Sequence, residues 1–273
     1  MPSVYAHYYF ADKCVDKFPE ALKKIVVDNR KFYDIGTSGG DLLFYYKPYK
    51  KNDIRSYGSQ LHKEIFAEQI ARFKESATGS CYRERDIAYL AGYFTHFMLD
   101  SVVHPYILKV DAEKVEKHLI IEVDYDRKLL IKTGEDPYSN KYMRFQINDA
   151  QTQEIVAKYM NTTPANIKKT LKDRKLFTKL ISSQNRLLRS IINFLFKATG
   201  NTAGFDILVR NKENDKCGAV RERIDELMKV ALVEVEKYSN EFYDFMTSSS
   251  PLGERFECDF YRKGVWENNL REM

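Results

Sequence analysis

An all-α, multi-helix globular domain with a polynuclear metal site between its helices is the fold class this sequence predicts, on three observations. Apolar residues recur at spacings of three and four along most of the chain, and no sustained alternating run bounded by turn residues competes for strand. Proline falls mainly where helices could end, at Pro48, Pro105, Pro137, Pro164 and Pro251. The chain has five histidines in 273 residues, all at or before His118, and three of them sit at helical spacing with carboxylates.

Helical periodicity covers residues 18–27, 61–73, 87–108, 115–131, 176–196 and 224–245. Two regions break it. Residues 33–57, rich in Gly, Lys and Tyr, read as a functional loop rather than a connector. Residues 133–148, with Gly134, Pro137 and Asn140, join a metal-binding half, 1–132, to a helical scaffold half, 149–273, of one domain spanning 1–273. The scaffold half has no histidine, and its Leu176, Leu180, Leu187, Leu188, Ile191 and Leu195 form a helical stripe.

Composition narrows the class of activity. A hydrophobic content of 44% and a mean hydropathy of −0.51 describe a globular chain, with no apolar run of roughly 18 residues to span a bilayer and no obvious membrane-insertion helix. The beginning, Met1-Pro-Ser-Val-Tyr-Ala-His7, lacks a basic region followed by an apolar one, so a cytoplasmic location is expected. Cys14, Cys81, Cys217 and Cys258 are scattered and read as reduced thiols, which leaves nitrogen and oxygen to hold any metal. A net charge of +5 and a pI near 8.8 favour acidic substrates without calling for stable nucleic-acid binding.

The chemistry is concentrated in His96-Phe-Met-Leu-Asp100-Ser-Val-Val-His104 and in His118-Leu-Ile-Ile-Glu122. A spacing of four turns a helix by only about 40° and advances it ~6 Å, so each segment carries its metal-binding groups along one face. A histidine among Phe, Leu and Val is more often a core residue than a ligand; the confinement of all five to this half favours a site. Pro105 should kink or fray the first helix. If the chain continues to about Lys109 and turns through Val110, Asp111 and Ala112, a second helix runs back from Glu113. His104 then faces His118, each roughly 9 Å from the turn, with Glu122 opposite Asp100 and Asp126 opposite His96. Such a seam can hold two or more metals with a carboxylate between them. Asp126 is either a member of it, an orienter of a ligating imidazole, or a solvated, helix-capping or ion-paired residue.

Further candidates come from the preceding sequence. In Gly36-Thr-Ser-Gly-Gly-Asp41 the adjacent glycines allow close backbone approach to an ion, and Asp41 can end the turn pointing into a cleft. His62 follows on an expected helix, and His7 lies among Tyr5, Tyr8 and Tyr9.

In order, His7, Gly-Gly-Asp41, Leu-His62, His96-x-x-x-Asp100-x-x-x-His104 and His118-x-x-x-Glu122 resemble the zinc-dependent phospholipase C family. That family shares an all-helical fold and a trinuclear zinc site with fungal single-strand-specific nucleases. At motif level the resemblance covers roughly the first 125 residues. It implies that Asp41, His62, His96 and Asp100 hold one zinc, that His104, His118 and Glu122 hold a second, and that His7 holds a third with Asp100 as bridge. It also implies that Asp41 orients the attacking water or takes its proton. Secreted members complete the third site with an N-terminal tryptophan, whereas this chain has Met1-Pro2 there, so two or three ions are expected.

The expected activity is therefore zinc-dependent hydrolysis of a phosphate ester, phospholipase C-like, by metal-bound hydroxide. Phe44, Tyr45, Tyr46 and Lys47 could contact the substrate, the rings through a quaternary ammonium headgroup or a base and the lysine through phosphate; a solvated loop packed by its own tyrosines is the competing reading. A nuclease or nucleotidase-like phosphoesterase and a non-catalytic zinc-stabilised interaction module are the alternatives. An adjacent His-Asp metal hydrolase is disfavoured because Lys63 follows His62 and Phe97 follows His96, and a di-iron bundle would need repeated Glu-x-x-His.

Overall fold

The computed structural model describes residues 4–198 and 203–263. Among them no strand occurs, and the chain runs through α1 (Val4–Cys14), α2 (Glu20–Asp28), α3 (Arg30–Gly36), α4 (Asp53–Leu61), α5 (Phe66–Thr78), α6 (Arg83–Ala112), α7 (His118–Lys132), α8 (Ala150–Tyr159), α9 (Pro164–Ser182), α10 (Arg186–Ala198), α11 (Ala203–Asp206) and α12 (Gly218–Thr247). Short 3₁₀ turns fill several connections, including Gly39–Tyr45 and Lys141–Phe145. The all-α expectation holds.

Helix α6 is the spine. Every residue from Asp86 to His104 is buried, so this helix is enclosed on all sides rather than amphipathic. Its aromatic residues clamp the neighbouring elements: Phe97 stacks on Phe66 of α5 at 3.9 Å, and Phe94 on Phe242 of α12 at 4.6 Å. Each such buried ring contributes about 1.5–3 kcal/mol of apolar burial. Helix α3 comes closest, because a Cβ on Gly92 would meet the Tyr33 carbonyl at 2.2 Å and one on Gly36 the Tyr89 carbonyl at 2.1 Å.

Pro105 neither ends nor frays α6; the helix continues to Ala112. Its ring removes one backbone bond, while buried Val102, Val103 and Ile107 hold both flanks in the core. The reversal then takes more chain than the sequence count allowed. Lys114 adopts φ 58°, and Val115 N–H bonds the Val110 carbonyl, a Schellman-type closure that uses up residues 113–117. Helix α7 consequently begins at His118 instead of Glu113.

Three other expectations are corrected. His62 lies just after α4 as its C-cap, not on a helix, because the expected 61–73 segment is two helices separated at residues 62–65. Residues 33–57 are not an open loop: α3, the Gly39–Tyr45 turn and α4 occupy most of them. The leucine stripe of the scaffold half is split at residues 183–185 between α9 and α10, and Leu176, Leu187, Ile191 and Leu195 are exposed, with only Leu180 and Leu188 partly packed. All four cysteines are free. No helix among the described residues is long and apolar enough to cross a membrane.

Candidate metal centre

Four of the five histidines converge on one carboxylate. Asp100, near the middle of α6, has Oδ1 3.3 Å from His7 Nε2, and Oδ2 lies 3.2 Å from His96 Nε2, 3.7 Å from His104 Nδ1 and 3.8 Å from His62 Nε2. His118 joins through Glu122, whose Oε1 lies 3.0 Å from His118 Nε2 and 3.6 Å from His104 Nε2. Asp41 closes the other end, 2.9 Å from His62 Nε2. Among the described residues three groups have ligand atoms within 4.8 Å of one another: His7, His96 and Asp100; Asp41, His62 and His96; and His104, His118 and Glu122.

Each element delivers its side chain for a local reason. Helical spacing on α6 stacks His96, Asp100 and His104 along one face. Gly39 sits at φ 50°, and a Cβ there would lie 2.2 Å from His96 Cδ2, so only glycine lets the turn before Asp41 pass under that imidazole. Helix α1 is pinned by Asp126, which accepts the backbone N–H groups of Tyr5 at 3.1 Å and Ala6 at 2.8 Å, next to His7. Asp126 therefore anchors the helix carrying His7; it does not face His96. The later start of α7 has the same effect one turn earlier, placing Glu122 against His104 instead of Asp100.

Three imidazoles share one pattern of support. In the Nδ1–H tautomer, His62 donates to the Gly58 carbonyl at 2.7 Å, His96 to Thr37 at 3.1 Å and His104 to Phe260 at 3.3 Å. In each case Nε2 is left facing the carboxylates. A ring nitrogen held by a backbone carbonyl while the other points into an acidic cavity is the usual arrangement behind a metal-ligating histidine.

Burial and mutual charge perturb the whole set. Burial works against the Asp41 carboxylate, but the hydrogen bond and charge of His62, with His96 beyond, outweigh it and hold Asp41 well below the usual carboxylate range. Asp100 and Glu122 are lowered in the same way, burial being overcome by the surrounding histidines. Burial, reinforced by His7, drops His96 to about 3. Burial also opposes charge on His104, yet Asp100 and Glu122 raise it to about 9. Burial pushes Asp126 up to about 7 in spite of its two amide donors.

The residues fit zinc. His7 Nδ1, His96 Nε2 and Asp100 Oδ2 are buried without a hydrogen-bond partner, which is costly unless a cation satisfies them. A nitrogen and carboxylate donor set suits that metal. The cavity beside them is lined by His7, Asp100, His104 and Glu122 with Val103 and Met228. Solvent reaches the cluster at its two ends, where the Asp41 side chain is 16% and that of His118 23% exposed.

The expected substrate residues separate. Phe44 lies 5.9 Å from the His62 ring and borders the site. Tyr45 and Tyr46 are buried, Tyr45 against Phe177 and Tyr46 donating to Asn166 Oδ1 at 3.0 Å, while the Lys47 ammonium lies over the Tyr46 ring. Met1 and Pro2, considered for the third metal, lie outside the described residues.

Sequence reading missed two contributors from the second half. Arg174 of α9 is fully buried, donates to Ser38 Oγ at 2.9 Å and lies 5.0 Å over the Tyr45 ring, bracing the turn that ends in Asp41. Its signal was an arginine on the buried stripe of Ile167, Leu171 and Thr178. The segment after α12 brings Phe260 to within 5.0 Å of the His62 ring and Tyr261 to within 5.2 Å of His104; nothing in its local sequence marks it.

Fold and site together define an all-helical protein with a buried, multi-histidine cluster whose groups could hold metal ions. The chain matches the zinc-dependent phospholipase C family over residues 6–176, more than half its length, and belongs to that family. No significant match was found among curated proteins or among solved structures.

Proposed function

We propose that this protein is a zinc-dependent phosphoric ester hydrolase, a phospholipase C-like phosphodiesterase carrying two or three zinc ions. The observation that supports it most is the Asp100 carboxylate within 3.8 Å of four buried imidazoles in a chain of this family. Asp41, His62, His96 and Asp100 would hold one ion, His104, His118 and Glu122 a second, and His7 with Asp100 a third. When bound, zinc supplies Lewis acidity toward a phosphoryl oxygen and lowers the pKa of coordinated water toward about 7.

The protein's own groups do the rest. Asp41, kept ionised by His62 and open to solvent, accepts the proton of the attacking water and holds it in line with phosphorus. His62, His96 and His104, fixed by their backbone carbonyls, keep their Nε2 atoms aimed inward through the reaction. Phe44 offers an aromatic face at the mouth for a headgroup, where a quaternary ammonium gains about 0.5–2 kcal/mol. In this reading residues 1–132 supply the ligands and 149–273 brace them within one domain.

The test combines zinc content with hydrolysis of a chromogenic choline phosphodiester, phosphatidylcholine and single-stranded nucleic acid. The zinc-loaded protein should cleave the choline phosphodiester and phosphatidylcholine. Cleavage of nucleic acid alone would replace this reading with a nuclease-like one, and full zinc occupancy with no cleavage of any diester would replace it with a non-catalytic zinc module.

A further inference from the structure

Helix α10 is turned the wrong way for a core element. Its inward stripe is Leu188, Ile192 and Phe196, which pack with Ile181 and Leu208 in a small cluster separate from the main core. A second apolar stripe, Leu187, Ile191 and Phe194, spaced i, i+4, i+7, faces away from that cluster, and these side chains are 72%, 48% and 69% exposed. On a protein without a bound surface, three large apolar residues on one short helix face are a standing cost.

The charge around this stripe is one-sided. Between Asp173 and Asp206 the sequence holds no acidic residue but contains Lys175, Lys179, Arg186, Arg189 and Lys197. On the helix, Arg186 and Lys197 fall with Ser190 and Asn193 on the flank adjoining Phe194, since 186, 190, 193 and 197 share a face. Arg189 ties the helix down by donating to the Ser183 and Val209 carbonyls at 3.2 Å and 2.9 Å. A 13-residue helix is too short to span a bilayer, and an apolar face bordered by cations is the pattern of a helix lying in a lipid interface.

Its position bears on the site. Phe196 packs edge-on to Phe205 of α11 at 5.6 Å, and Asp206, which ends α11, pairs with Lys117 at 3.0 Å, immediately before His118. The exposed helix and the open His118 end of the cluster are thus linked through one short helix and one ion pair.

We infer that α10 docks this protein onto an anionic phospholipid surface, with Leu187, Ile191 and Phe194 entering the acyl boundary and Arg186 and Lys197 meeting lipid phosphates. The occupant is lipid because the charged residues flanking the stripe on α10, Arg186 and Lys197, are both basic; the same face of a second copy would set cations against cations. Docking does not depend on the zinc chemistry, so the two readings fail separately.

The experiment is co-sedimentation of the zinc-loaded full chain with vesicles of phosphatidylcholine containing phosphatidylglycerol, alongside hydrolysis of a soluble choline phosphodiester. Leu187→Ser with Phe194→Ser should weaken vesicle binding by ~tenfold or more, from the apolar area no longer buried. Arg186→Ser and Lys197→Ser should each weaken it ~fivefold, an effect lost at high salt. Because these side chains are exposed, the thermal midpoint and the soluble activity should stay unchanged. Absent vesicle binding by the wild type, or binding by the apolar double variant equal to wild type, would overturn the inference. So would a wild-type dimer without lipid that the same substitutions dissociate, which would assign the face to a second copy.

Discussion

Four imidazoles crowd one carboxylate at Asp100, and three elements bring them there: α1 carries His7, the end of α4 His62, and α6 both His96 and His104. If Asp100 is a shared ligand, as proposed, it would couple the ions it holds. Asp100→Ala should remove more than one zinc per chain, measured by elemental analysis, whereas His118→Ala, at the edge, should remove one. Asp41→Asn keeps an oxygen ligand but not a base, so turnover should fall by about 10²–10⁴ with zinc content and folding nearly retained. At Gly39 the conformation itself excludes a side chain: Gly39→Ala should cost about 1–3 kcal/mol in unfolding free energy and displace His96, with zinc lost in proportion. The histidines and carboxylates that gather around Asp100 were legible in the sequence because rare histidines at helical spacing stand out against an apolar background. Arg174 was not, since its role rests on contacts to Ser38 and Tyr45 more than a hundred positions earlier in the chain.

At the level of elements, spacing within a helix was readable and register between helices was not. His96, Asp100 and His104 fall on one face as the repeat of four requires. The pairing of α6 with α7 depended on where the turn ended, and a left-handed Lys114 delayed α7, so that Glu122 meets His104 and Asp126 meets α1. Apolar periodicity likewise ran one helix through residues 176–196 with Leu187, Ile191 and Leu195 on its stripe, whereas the chain breaks at 183–185 and leaves those three exposed. Asp126→Ala tests the element-level account of α1. Leaving the Tyr5 and Ala6 amides buried and unpaired should cost about 1–3 kcal/mol by denaturant unfolding. Zinc at the His7 position should weaken while the ions at His104 and His118 remain.

Over the whole molecule, zinc and folding should be linked, because ligands from α1 to α7 come together only in the native state. Chelation should lower the thermal midpoint, and readdition of zinc should restore it. In the chelated protein His104 is raised to about 9 by Asp100 and Glu122 against the penalty of burial. Folding then favours its protonated form, so this contribution is fully present below about 6.5 and is lost as pH rises through about 9. Zinc must displace that proton: binding near neutral pH should release about one proton from His104, read by calorimetry in buffers of differing ionisation enthalpy, and affinity should fall as pH is lowered. The fold class was visible from composition and periodicity alone. The bracing by the second half was not, because Phe260 and Tyr261 carry no local pattern and reach the site only through the packing of α12 on α6.

The central claim is that Asp100 organises a zinc cluster, and anomalous diffraction at the zinc edge tests it most directly. Density should appear at coordination distance, about 2.0–2.2 Å, from the Asp100 carboxylate together with the His7 and His96 side, and again between His104, His118 and Glu122. Zinc bound in the crystal with no peak within reach of Asp100 would contradict the account.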